Sequence, residues 1–303
     1  MKIPRFIVGL LILILITLSA SAKTQDDPSG DLANSLLTRA YEYRLKGRFQ
    51  NAETILRYGI KILSLEKEGQ VGAASLKIEL ARVIIRKTFH INTSDKEAIA
   101  LYRNVFHFAN ENNNKKLIGK ALYGIGFYEF KAGSDSWDKA LRNLEESLKV
   151  RREIDDSFGI SQSLFTIGTI YQRRGQNKQA TRVYRESLGF ARKAKSDYME
   201  GENQRHIGYT HLLRGDFKKA LLHFSSSLEK RREIGYTDGE MFALITIGQT
   251  YQRLEDFDNA KLFLKKGLEI AKRMDSKVGK TRAYAALGKL FYDKKEKRNA
   301  FVS

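Results

Sequence analysis

Apolar and small residues along this chain follow a helical rhythm that itself repeats. In SLFTIGTIYQRRGQNKQA (163–180), Leu164, Ile167, Gly168 and Tyr171 recur at three- and four-residue steps, which places them on one side of a helix. Gly175 marks a turn, and Ala180, Tyr184, Ser187, Leu188 and Ala191 form a second stripe. Eighty residues later, ALITIGQTYQRLEDFDNA (243–260) restates the same text. The period is 40 residues: Gly168, Gly208, Gly248 and Gly288 fall on it, as do Ala140, Ala180, Ala220, Ala260 and Ala300, and Leu148, Leu188, Leu228 and Leu268. Each unit reads as two helices joined by a tight turn. Neither helix can bury its stripe alone, but stacked neighbours can. The glycine is expected at the closest crossing of the two helices with the alanine opposite it, since a glycine within a helix costs up to about 1 kcal/mol against alanine and needs a packing reason to recur.

Extending the register predicts units over 31–65, 71–110, 117–154, 157–194, 197–234 and 237–274, with a partial one over 277–303. In the third unit Gly126 precedes Ala140 by 14 residues instead of 12, so its turn KAGSDS carries two extra residues. In the first, Ala40 stands in the glycine's place. The second is the most degenerate, and KTFHINTSDK (87–96) reads as a longer loop. At the C-terminal end, Ala300 should open a second helix just before the sequence stops.

The order L-x-x-I-G-x-x-Y, followed by Gly, Ala, an aromatic or Leu, and a small residue, resembles the tetratricopeptide repeat, best across 157–274. The units are longer than the common 34-residue form and lack its proline near the end of the second helix, where Arg192 and Arg232 stand. In their length and their R-R-E-I tails they look like those of exported bacterial repeat proteins. The resemblance implies an all-α, right-handed α-solenoid of stacked antiparallel helix pairs, about six repeats plus a partial seventh.

In such a solenoid the first helices line a concave groove, and their arc opposite the packed stripe faces a ligand. The residues read there as groove candidates are Tyr123, Phe127, Lys131, Phe165, Gln172, Arg173, Arg205, Tyr209, Gln249, Gln252, Arg253 and Lys289. Planar rings supply contact area, arginine pairs bidentately with carboxylate, and glutamine bonds peptide backbone. That composition suits a protein or peptide with acidic and apolar side chains. The plainer reading is that Phe165, Ile245 and Leu213 pack against neighbouring helices. The asparagine ladder of many peptide-binding relatives is absent, since Phe165-Thr166, Arg205-His206, Ile245-Thr246 and Ala285-Ala286 occupy those places. Gly126, Gly168, Gly208, Gly248, Gly288, Ala140, Ala180, Ala220 and Ala260 are read as structural. A second ladder, Arg152, Arg192, Arg232 and Lys272, either favours helix C-termini or forms a basic stripe. Arg151–Ile154 recurs as Arg231–Ile234, two units apart, which points to duplication of a two-unit block.

Composition narrows this picture. There are no cysteines, so disulfides, thiol nucleophiles and cysteine-bound metals are excluded. The two prolines are Pro4 and Pro28, which fits a helical chain. The N-terminus has the layout of a secretory signal peptide: Lys2 and Arg5, an apolar run from Phe6 to Leu18, and Ala20-Ser21-Ala22 as a cleavage site. Cleavage after Ala22 is expected, an uncleaved anchor being the alternative, and 23–30 reads as a flexible lead before a repeat domain over 31–303. The formal charge is +19, and two lower without Lys2 and Arg5. Export turns that charge away from nucleic acid and toward anionic envelope surfaces or acidic peptides. YGIG (123–126) lacks the third glycine of a dinucleotide fingerprint, there is no G-x-S-x-G or H-E-x-x-H, and His206 and His211, five apart, do not share a helix face. INTS (91–94) matches a glycosylation acceptor. No cofactor, metal site or catalytic residue is expected. The reading is an exported, non-catalytic scaffold, periplasmic or secreted. A sensory module signalling from its C-terminal end and a basic protein holding anionic envelope polymer are the alternatives.

Overall fold

The computed structural model describes residues 28–45, 47–87 and 96–300, with side chains for 29–44, 47–87 and 96–295. The signal segment, most of the lead, and INTS lie outside the described residues. Among those described there are thirteen α-helices and no strand: α1 Pro28–Leu45, α2 Phe49–Leu63, α3 Gln70–Lys87, α4 Lys96–Glu111, α5 Lys115–Ala132, α6 Trp137–Glu153, α7 Ser157–Arg173, α8 Asn177–Lys193, α9 Asp197–Leu212, α10 Phe217–Glu233, α11 Thr237–Arg253, α12 Phe257–Arg273 and α13 Lys277–Ala300. The expected lead gives way to helix already at Pro28, a residue well suited to a first helical turn. The extra residues of KAGSDS form a 3₁₀ turn over Ser134–Ser136. No described helix is long and apolar enough to cross a membrane.

The helices divide into two compact units, Met1–Asp156 and Ser157–Ser303. In the first, α2 packs on α3 and α5 on α6, with α1–α3 and α3–α5 contacts joining successive pairs. In the second, the pairs α7–α8, α9–α10 and α11–α12 pack most extensively, and α8–α9, α10–α11 and α12–α13 join them. This is the α-solenoid architecture of stacked helix pairs.

The turns share one chemistry. A residue in the left-handed region sits at each: Gly175, Gly215 and Glu255 within the pairs of the second unit, and Asp155, Lys195, Gly235 and Asp275 at the ends of second helices. The following amide reaches back five residues, as in Gln176 N to the Tyr171 carbonyl (2.9 Å), Ser196 N to Ala191 (3.0 Å) and Tyr236 N to Arg231 (2.8 Å). This bond satisfies a carbonyl that the helix end leaves open.

At the repeat glycines, the crowding partner is chiefly the side chain four residues beyond the ladder alanine. A Cβ would meet Leu144 Cγ at 2.8 Å from Gly126, the Tyr184 ring at 2.9 Å from Gly168, the Phe224 ring at 2.7 Å from Gly208 and Leu264 Cγ at 2.7 Å from Gly248. Ala140, Ala180, Ala220 and Ala260 are fully buried beneath. Gly288 differs: among the described residues nothing lies within 4 Å of a Cβ there. The expectation that Ala300 opens a new helix is not met: α13 runs unbroken from Lys277 to Ala300, with Lys295 at the register position of Gly175 and Gly215.

The basic ladder is tied down where its partners exist. Arg192 Nε lies 3.0 Å from Glu200 and Arg232 Nε 2.7 Å from Glu240, each bridging the end of one pair to the start of the next. Lys272 has Lys280 eight residues on, so no such bridge forms there.

Candidate partner-binding faces

In the first unit, the half-buried Tyr123 and Phe127 of α5 stack with centroids 6.1 Å apart, Phe127 resting against the core. The buried Arg151 of α6 places its guanidinium 5.0 Å from the Tyr123 ring centroid. Lys131 donates from Nζ to the Ile85 carbonyl at 3.3 Å, so it anchors α5 to α3. Lys120, one turn before Tyr123, is half-buried; burial, then the charges of Arg82 and Lys116, push its ammonium down to about 8.

The second unit builds a denser arrangement around His206, which its spacing from His211 sets aside as a metal ligand and which is not among the groove candidates. His206 on α9 meets the Phe165 ring edge-on at 4.9 Å and the Tyr184 ring at 5.0 Å. Its Nε2 lies 2.8 Å from an Arg205 terminal nitrogen, which can only donate, so Nε2 accepts and the proton sits on Nδ1. Nδ1 is 2.9 Å from both Gln172 Oε1 and the Tyr184 hydroxyl. The Tyr184 hydroxyl also lies 3.1 Å from Thr169 Oγ1. Burial first, and then the charge of Arg205, hold the imidazole neutral to well below the usual histidine range. Both ring nitrogens are engaged, so the group positions its neighbours and is not available as a base.

The network continues inward. Arg205 donates to Glu202 Oε2 at 2.7 Å, and buried Arg231 of α10 donates to Glu202 Oε1 at 2.7 Å and to the Gly239 carbonyl at 2.8 Å. Burial opposes the Glu202 charge, but Arg205 and Arg231 outweigh it and hold the carboxyl well below the usual carboxylate range. Arg205 also lies 5.8 Å from the Tyr209 ring centroid, and Tyr209 reaches α11 through Thr246 at 3.3 Å. Arg282 of α13 sits 5.0 Å from the Phe242 ring centroid.

Phe165, Gln172, Arg205 and Tyr209 are therefore brought together, through Tyr184 and His206. Arg173, Gln249, Arg253 and Lys289 are exposed, the two arginines in the last turns of α7 and α11. Gln252 is buried and donates to Asp293 at 2.6 Å, joining α11 to α13. Ile245 is buried against Gly267 as core, whereas Leu213 is 64% exposed. His206, Tyr184 and Arg231 were not singled out from sequence as site residues. His206 has Thr166 and Thr246 one period away on either side, so no ladder marks it. The repeated R-R-E-I text did flag Arg231, although nothing in it shows that the first arginine turns inward. Among the described residues, no group of three His, Asp or Glu could hold a metal ion.

The family model of the tetratricopeptide repeat matches residues 117–193 and 201–273. Tetratricopeptide repeat protein 29 of Macaca fascicularis is 23% identical over 145 residues, 47% of this chain; the match spans 30% of that relative's own length. Among solved structures, the apo form of RapI matches with a TM-score of 0.64 at 17% identity, covering 89% of this chain and 74% of that one. A Rap protein complexed with competence and sporulation factor matches with a TM-score of 0.58 at 18% identity, covering 86% and 73%. At these identities the structural matches establish the fold.

Proposed function

Because the chain belongs to the tetratricopeptide repeat family, we propose that it is a non-catalytic scaffold whose first-helix faces bind a protein or peptide segment with acidic and apolar side chains. The observation that carries the reading is the fixed arrangement of Phe165, His206, Arg205 and Tyr209 in the second unit, with Phe242 and Arg282 beyond it. Planar groups are locked before a ligand arrives, so little side-chain entropy is lost on binding. The Rap protein solved with competence and sporulation factor supports the class of ligand by analogy of fold. Panning a random dodecapeptide display library against residues 23–303 should enrich sequences that combine Asp or Glu with apolar residues. Arg173→Glu with Arg253→Glu should reduce capture of the enriched peptides at least tenfold. No enrichment, or capture indifferent to that double change and to Phe165→Ala, overturns the reading. Export belongs to the same proposal and rests on the leader pattern of residues 1–22; intact-mass measurement on material secreted by an expressing bacterium should find a chain beginning at Lys23.

A further inference from the structure

The second unit carries a charged feature away from its first-helix face. Lys178, Arg182 and Arg185 lie four and three residues apart on α8, hence on one side of it, and with Arg214 of the α9–α10 turn and the hydroxyl-bearing Thr181 they line a depression of about 380 Å³. Among the described residues none of these four cations forms an ion pair, whereas Arg192, Arg205, Lys230, Arg231 and Arg232 of the same unit all do. Like charges at this spacing repel, so the cluster is unfavourable for the helix that bears it.

The repeats provide an internal control. Forty residues on, the same positions are Lys218, Leu222, Ser225 and Leu254; eighty on, they are Asp258, Leu262, Lys265 and Lys294. The architecture therefore does not require cations there, and of these three repeats only the first gathers four around one depression. Arginine forks match the paired oxygens of a phosphate, and four positive charges match a group carrying two or more negative ones better than a single carboxylate. The volume lies at the small-ligand end of the usual range.

We propose that this depression binds a small soluble ligand through a phosphomonoester or pyrophosphate group, with Arg182, Arg185 and Arg214 pairing with its oxygens and Lys178 adding charge. The proposal is independent of peptide binding on the first helices. The test is calorimetric titration of residues 23–303 with inorganic pyrophosphate at 150 mM salt, and separately with long-chain polyphosphate. The expected result is saturable one-to-one binding of pyrophosphate, weakened at least tenfold by Arg182→Gln with Arg214→Gln and unchanged by Lys218→Gln with Lys265→Gln. All four substituted positions are exposed, and matching melting temperatures check that the variants fold. Absence of saturable pyrophosphate binding overturns the proposal. So does equal weakening by both double changes, or binding of polyphosphate alone, which would mean that charge spread over the surface holds a polymer.

Discussion

His206 shows how one residue can organise a face without recurring in any repeat. Arg205 can only donate to it, so its tautomer is set, and Gln172 and Tyr184 then fall to Nδ1. The folded protein keeps this imidazole neutral far below the usual range, while the unfolded chain protonates it near 6.5. The unfolded state then binds more protons between those two values, so stability is complete above about pH 6.5 and falls as the pH drops below it. The slope from this one group is up to about 1.4 kcal/mol per pH unit. Thermal melts between pH 7.5 and 5 should show that decline, and His206→Gln should flatten it by about that slope. His223, lowered by burial and by the charges of His211 and Arg185, leaves a smaller decline of the same sign. An identical slope in the variant would remove His206 from the account. Glu202 acts in the same direction at more acid pH: its depressed carboxyl contributes stability above the ordinary carboxylate range and loses it as pH falls further. Spacing could have pointed to none of this, because the burial of the ring and its partners Gln172 and Tyr184 come from other helices, and only the fold shows that the adjacent Arg205 turns back onto it.

At the scale of the helix pair, the glycine ladder was legible in the sequence and its partners were not. The period predicts a close crossing, and the structure shows Tyr184, Phe224, Leu144 and Leu264 filling the space, four residues beyond the alanine expected to do so. A second-helix side chain leans back toward its own N-terminus, so the residue a turn later covers that spot. Gly248→Ala adds a methyl 2.7 Å from Leu264 and 3.0 Å from the Ala260 carbonyl, and should cost about 1–3 kcal/mol. Gly288→Ala meets nothing within 4 Å and should gain about 0.8–1 kcal/mol from helix propensity. Melting temperatures moving in opposite directions would bear this out; a loss at both would mean that α13 is covered. The turns allow a second comparison. Lys195 holds a left-handed backbone (φ 49°) where Gly235 stands one period on. Lys195→Gly should raise stability by about 1 kcal/mol, read from chemical denaturation, because a side chain there opposes the left-handed conformation. The sequence hid this ladder because Asp, Lys, Gly and Asp share a conformation without sharing a residue type.

For the molecule as a whole, the charge of +19 is not one undivided property. Part of it is spent within the fold, as in the bridges from Arg192 and Arg232 to the next helix pair and in the Arg205–Glu202–Arg231 cluster. Part is gathered beside α8. The two parts should respond differently to salt. Raising sodium chloride from 50 to 500 mM should weaken pyrophosphate binding more than tenfold, since the ionic atmosphere shortens the reach of exposed charge to a few ångströms. Capture of an enriched peptide by an aromatic-anchored face should fall less than threefold over the same range. Equal losses would mean that charge alone holds both.

The period of 40, the helical spacing within it and the small residues at fixed places were enough to specify stacked helix pairs. Such a fold buries the same stripe again and again, and a recurring packing demand leaves a recurring residue. What recurs is therefore readable one unit at a time. Tertiary structure decided what happens once: the pairing of buried Arg231 with Glu202, the engagement of His206, the burial of Gln252 against Asp293, and the unbroken run of α13 where a turn was expected. Each depends on side chains brought together from different helices, or, in α13, on residues such as Lys295 that continue a helix where a glycine would turn it. A period cannot record such contacts, because they set one repeat apart from the next.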